Sequence, residues 1–136
     1  MQRTLVQNVA RLVGIVFLLV GIAGFIPGVT TNLYDGLEFA GNDGTAELLG
    51  IFQVSVLHNI VHGLFGLAGL ALAATPSGAR TYLIGGGAIY LALFVIGWIL
   101  QFIGHYYEGK PPEFFKDYRF LFVGLRWWFK KIVGVK

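Results

Sequence analysis

Two histidines stand four residues apart inside an apolar run, VSVLHNIVHGLFG (residues 54–66), so His58, Asn59 and His62 are polar groups set among Leu, Ile, Val, Phe and Gly. An i, i+4 pair puts both imidazoles on one face of a helix. That arrangement is half of a zinc or iron site, a proton-carrying pair, or a set of hydrogen-bonding groups that packs one helix on another. The glutamate of a hydrolytic HExxH motif is missing, since the stretch reads HNIVH.

The elements that position these groups belong to a membrane protein. The 136 residues are 56% hydrophobic and 12% charged, with a mean hydropathy of +0.71. Soluble domains carry about a quarter charged residues, so half that leaves too little polar surface for a small globule in water. With no cysteine, disulfides, thiolate metal sites and cysteine nucleophiles are excluded. The net charge of +3 is unevenly spread and reads as orientation and contact with lipid headgroups, not as nucleic-acid binding.

Three apolar runs approach the ~20 residues that a helix needs to cross a bilayer. They cover about Leu12 to Ile26, extendable back toward Leu5 and stopped by Pro27-Gly28; about Leu48 to Ala74, stopped by TPSGAR; and about Tyr82 to Gly104, stopped by HYYEGKPPEFF. A signal peptide is the rival reading of the first run, but IAGFIPG is a poor cleavage site. Between the first two runs, GVTTNLYDGLEFAGNDGTAE carries Asp35, Glu38, Asp43 and Glu47 and no base. It reads as a turn-rich, solvated loop, in which Asp43 or Thr45 caps the second helix. EF-hand spacing is absent.

Seven of the ten Lys and Arg residues fall in the last segment, GKPPEFFKDYRFLFVGLRWWFKKIVGVK. Its six-residue apolar stretch before Arg126 is far too short to span, and Phe120, Val123, Trp127, Lys130 and Lys131 suit a basic aromatic helix lying in the interface. Trp127 and Trp128 would sit at headgroup level. The expected fold is therefore all-α: one integral membrane domain over residues 1–136, three transmembrane helices and an interfacial tail, with four transmembrane helices as the alternative.

On the second helix, Ser55, His58, Asn59, His62, Gly66 and Gly69 share a face, which in a membrane points at another helix. The third run offers a matching face of Gly86, Tyr90, Gly97, Gln101, Gly104 and His105, and the first adds Gly14, Gly21 and Gly24. If Glu47 and His105 lie at one water boundary, a rise of ~1.5 Å per residue sets His58 about 16 Å deep and His62 about 22 Å deep. By that count His105 is too distant to share an ion with the pair, and Tyr90, level with His62, is its partner. The expected site is a helix-packing cluster of Ser55, His58, Asn59, His62, Tyr90 and Gln101, with no metal or other cofactor.

Residues 10 to about 95 resemble the bacterial membrane proteins called domain of unknown function 4383. The resemblance rests on VFLLVGIAGFIPGVTTNLYDGLEFAG, ELLGIFQVSVLHNIVHGLFGLAGLALA and TPSGARTYLIGGG. It implies a small integral membrane protein with no assigned activity. From Gly97 to about Lys131 the chain resembles the C-terminal part of a second family, domain of unknown function 962, which includes iron-dependent 2-hydroxy fatty-acid dioxygenases. The signature WxxQFxGHxxxExxP is met by Trp98, Gln101, Phe102, Gly104, His105, Glu108 and, one position late, Pro112. The N-terminal histidine motif of that family is missing, and the chain reads as a composite, such as a fusion or a designed sequence.

Function divides accordingly. The first reading is a structural or interaction-mediating membrane protein. The second, implied by the later resemblance, is an iron-dependent lipid oxygenase with His58, His62, His105 and Glu108 as candidate ligands to Fe2+. For the pair to serve there, the depth count must fail. A small transporter is third, with thin support because the spans hold no acid beside the histidines. The expected partners are the bilayer, anionic headgroups at the tail and a second copy in an oligomer. The expected location is the cell membrane, multi-pass, with the N-terminus, Arg3, Arg11 and Arg80 cytoplasmic.

Overall fold

The computed structural model describes residues 2–41, 43–112 and 115–134. It is mostly helical, in the order α1 (Leu5–Ala23), β1 (Thr30–Thr31), α2 (Leu33–Gly36), β2 (Glu47–Leu48), β3 (Phe52–Gln53), α3 (Val56–Leu72), α4 (Pro76–Tyr107) and α5 (Phe120–Val133). Two compact units divide the chain, Met1–Gly86 and Gly87–Lys136. Two helices, α1 and α4, are long and apolar enough to cross a membrane; α3, with 17 residues, is apolar but shorter.

In the first unit α1 and α3 run antiparallel. Gln7 meets Ala73, Gly14 lies against Gly66 and Gly69, and Gly21 lies against Asn59 and Gly63. The contacts on α1 (Gln7, Gly14, Gly21) and on α3 (Asn59, Gly66, Ala73) advance by one heptad at each step, the period that keeps a seam facing its partner along both helices. The interior of the pair is small or polar: Gln7, Ala10, Gly14 and Gly21 are buried on α1, Asn59, Gly66 and Gly69 on α3. The large apolar side chains point the other way, with Leu12, Val16, Leu19, Leu57, Val61, Leu64 and Leu67 exposed. Small residues inside and aliphatic residues outside is the distribution of helices that pack in lipid.

The second helix begins later than its apolar run implies. Residues 47–53 form two strands of a small antiparallel sheet of order β1-β2-β3, with Thr30 opposite Leu48 and Leu48 opposite Phe52. The turn between β2 and β3 has positive φ at both Leu49 (55°) and Gly50 (65°), the geometry of a tight hairpin turn, closed by Ile51 N–H donating to the Leu48 carbonyl at 3.1 Å. Helix α3 then starts at Val56, and all four of its leading amides are satisfied. Those of Val56 and Leu57 donate to the Glu38 and Phe39 carbonyls, and that of Asn59 to the Ser55 carbonyl. The His58 amide donates to Ser55 Oγ at 3.1 Å. Ser55 is thus the cap that Asp43 and Thr45 were expected to supply.

TPSGAR, expected to be a break, opens α4. The Gly78 amide donates to Thr75 Oγ1 at 3.0 Å and Pro76 occupies the first helical position, where its missing N–H costs nothing. The first turns of α4 complete a core of Ala10, Ala73, Ala79 and Tyr82, while Ala46, Leu48 and Val54 form another beneath the sheet.

In the second unit α4 runs on to Tyr107, unbroken across residues 96 and 97, where the composite reading placed its join. Gln101 Nε2 lies 3.3 Å from His105 Nε2, and His105 Nδ1 lies 3.6 Å from Glu108. Helix α5 carries Lys130 and Lys131 in its last turn, with Gly134 as its left-handed cap. The side chains of Phe120, Trp127 and Trp128 lie outside the described residues.

Candidate functional site

The polar cluster sits in the first two turns of α3. Asn59 is 1% exposed and its amide lies flat on Gly24, so a Cβ at Gly24 would fall on the amide itself. His58 Nδ1–H donates to Asn59 Oδ1 at 3.2 Å. Among the described residues Asn59 Nδ2 has no hydrogen-bond partner. One turn on, His62 Nδ1–H donates to the His58 carbonyl at 3.0 Å. The two imidazoles are tilted against each other with centroids 4.0 Å apart, and the His62 ring stacks on that of Phe17 on α1 at 5.0 Å. The contacts continue from Phe17 to Phe65 at 4.9 Å and from Phe65 to Tyr82 at 4.8 Å.

The depth count does not survive. It began the helix at Glu47, whereas α3 begins at Val56; His58 is then about 3 Å and His62 about 9 Å along the helix from its start. The face meets both expected helices: a Cβ at Gly66 would strike the Leu18 backbone of α1, and one at Gly69 would strike both Tyr82 of α4 and Gly14 of α1. Gly86 does contact Phe65, while among the described residues Gly97 and Gly104 have nothing at contact distance. Tyr90 and Gln101 belong to the second unit. The first-unit members of the cluster, Ser55, His58, Asn59 and His62, are therefore a helix cap, two linked imidazoles and a buried amide. Among the described residues no three His, Asp or Glu side chains gather as a metal-holding group.

Two polar residues that bind the ends of these helices, Gln7 on α1 and Thr30 on β1, were not singled out in the sequence. Gln7 Nε2 donates to the carbonyls of Ala73 and Ala74 at 3.1 and 3.0 Å, while its Oε1 accepts from the Thr4 amide at 3.1 Å. One side chain thus joins the capping box of α1 to the free carbonyls at the end of α3. At the opposite end Thr30, 2% exposed, donates through Oγ1 to the Ala23 carbonyl at 2.9 Å. The available signal was the heptad Gln7, Gly14, Gly21.

The family model described as domain of unknown function (DUF4383) matches residues 7–105. The chain belongs to this family. The match covers the whole α1–α3 seam and runs on through Trp98, Gln101, Gly104 and His105, past the expected limit near residue 95. Comparison with curated proteins and with solved structures gives no match.

Proposed function

We propose that this DUF4383 protein is a non-catalytic integral membrane protein, structural or interaction-mediating, in which buried polar groups fix how its helices pair. The observation that carries the reading is the pinning of the glycine seam at both ends, by Gln7 on the Ala73 and Ala74 carbonyls and by Asn59 seated on Gly24. Glycines allow close approach but tolerate sliding. A polar side chain in a seam costs stability and selects one register.

The chain is multi-pass in the cell membrane with a cytoplasmic N-terminus. Arg3 and Arg11 lie toward the end of α1 that meets the start of α4, where Arg80 follows, and the loop carrying Asp35, Glu38, Asp43 and Glu47 lies at the other end. That asymmetry suits the positive-inside rule. Helix α5, with Arg126, Lys130 and Lys131, lies on anionic headgroups.

Hydrogen exchange in detergent tests the register role. Asn59→Leu should speed exchange of the amides of residues 60–65 by releasing the end of the seam. Unchanged protection would remove the cluster from helix pairing. Reporters active only in the cytoplasm, fused after Arg80 and after Lys136, test the topology: signal at Arg80 alone fits three spans, and signal at Lys136 alone inverts the chain.

A further inference from the structure

The hydrogen bonds that hold the two histidines also decide which nitrogen each leaves open. A carbonyl or amide oxygen only accepts, so His58 and His62 both carry their proton on Nδ1 and present the Nε2 lone pair outward. Neither Nε2 has a hydrogen bond among the described residues, and neither is sealed in the protein interior. A helix used purely for packing would spend these lone pairs on a donor from α1. Here the neighbour is the Phe17 ring, which offers none.

We infer that His58 and His62 chelate a single late transition-metal dication of the Cu2+, Ni2+ or Zn2+ class through their Nε2 atoms, with water in the remaining positions. Three observations on this chain converge. The i, i+4 rings are 4.0 Å apart at the centroids and tilted 34°. An ion about 2.0–2.1 Å from each nitrogen requires the nitrogens to be roughly 3.3 Å apart, within reach of a small splay of the rings. Both tautomers are preset by Nδ1–H donation to oxygen, the outer-shell arrangement that orients metal-binding imidazoles. The third observation is location. The pair lies in the first turns of α3, whose leading amides are held by the Glu38 and Phe39 carbonyls, so it adjoins a loop with four acids and no base that concentrates cations at the entrance. Imidazole with water suits these ions, whereas Mg2+ and Ca2+ prefer oxygen.

The proposed site needs neither His105 nor Glu108. It goes beyond helix packing, because Gln7 and Asn59 can pin the seam whether or not the Nε2 atoms hold an ion. The test is a Cu2+ titration of the tag-free full chain in detergent, followed by electron paramagnetic resonance. One Cu2+ per chain should appear with splitting from two imidazole nitrogens. His58→Gln and His62→Gln should each lose one nitrogen and weaken binding on the order of tenfold or more, as a chelate loses its second arm. His105→Gln should bind as the parent does. A spectrum without imidazole splitting, binding as tight as the parent's in either His58→Gln or His62→Gln, or loss in His105→Gln would each overturn the assignment. Because a variant could bind weakly through misfolding, Ni2+ provides a second readout: it should raise the melting temperature of the parent and of His105→Gln, and a parent unmoved by Ni2+ counts against the site.

Discussion

The α1–α3 seam and the second half of α4 carry the same vocabulary and use it differently. On the seam, Gly14, Gly21 and Gly66 are filled by backbone of the facing helix, and Asn59 and Gln7 are buried. On α4, Gly97 and Gly104 are also one heptad apart, with Gln101 between and His105 beside them, yet among the described residues a Cβ at either glycine would meet nothing. Gln101 is exposed and bonds His105 on its own helix. A stripe of small and polar residues therefore marks a face fit for close packing, while the identity of the partner is set by matching spacing on a second helix. The two seam helices have that match.

The sharpest way to break this comparison is to fill a seam glycine. Gly66→Leu places its Cβ against the Leu18 amide and the Gly14 carbonyl, and backbone cannot rotate away. An overpacking loss of about 1–3 kcal/mol is expected, read as a lower melting temperature in detergent. His62→Leu removes one polar contact and should cost only about 0.6 kcal/mol. If His62→Leu melted lower than Gly66→Leu, hydrogen bonding and not close approach would hold the pair.

Next in size is the contact between Gly24 and Asn59. Gly24→Ala puts a methyl group on the Asn59 amide, and the side chain must leave its His58 bond. A loss of about 1–2 kcal/mol is expected. In the double variant with Asn59→Ala, most of the Gly24→Ala cost should vanish, a coupling of at least ~0.5 kcal/mol between contacting residues. Additive losses would mean that the amide does not rest on Gly24 in the folded protein.

Gln7→Leu removes the link to the end of α3, and a loss of roughly 0.6–1.7 kcal/mol follows from interhelical hydrogen bonds in membranes. Its signature is local. Amide exchange should quicken near Leu72–Thr75 and stay unchanged near Asn59. Uniform quickening would show a seam without separate pins.

These sites were legible in unequal measure. The α1–α3 faces could be read because Gly14, Gly21, Asn59 and Gly66 are spaced by the helix period, which is a property of sequence alone. The start of α3 could not. ELLGIFQV is continuously apolar and lacks the Asn-Gly or Asp-Gly pair that announces a tight hairpin; Leu49 adopts positive φ in place of such a residue. Thr75-Pro76 was ambiguous by nature, since proline both ends helices and begins them. The false start at Glu47 carried through to the depth count for His58 and His62, because α3 begins only at Val56. The role of Gln7 was hidden because a single glutamine near a helix start signals capping, and its second bond depends on where α3 ends.

The smallest effect comes from the open face of α4 and has the opposite sign. Among the described residues an added Cβ at Gly97 meets no atom, so the steric term that dominates at Gly66 is absent and the backbone term is left. Glycine in a helix interior is less stable than alanine by roughly 0.5–1 kcal/mol, because it gives up more freedom on folding. Gly97→Ala and Gly104→Ala should therefore raise the detergent melting temperature slightly, with no dependence on protein concentration. A fall comparable to that of Gly66→Leu, or a loss that grows as the protein is concentrated, would place another helix against this face. The contrast between α4 and the seam would then be one of partner, a second copy in place of a helix of the same chain.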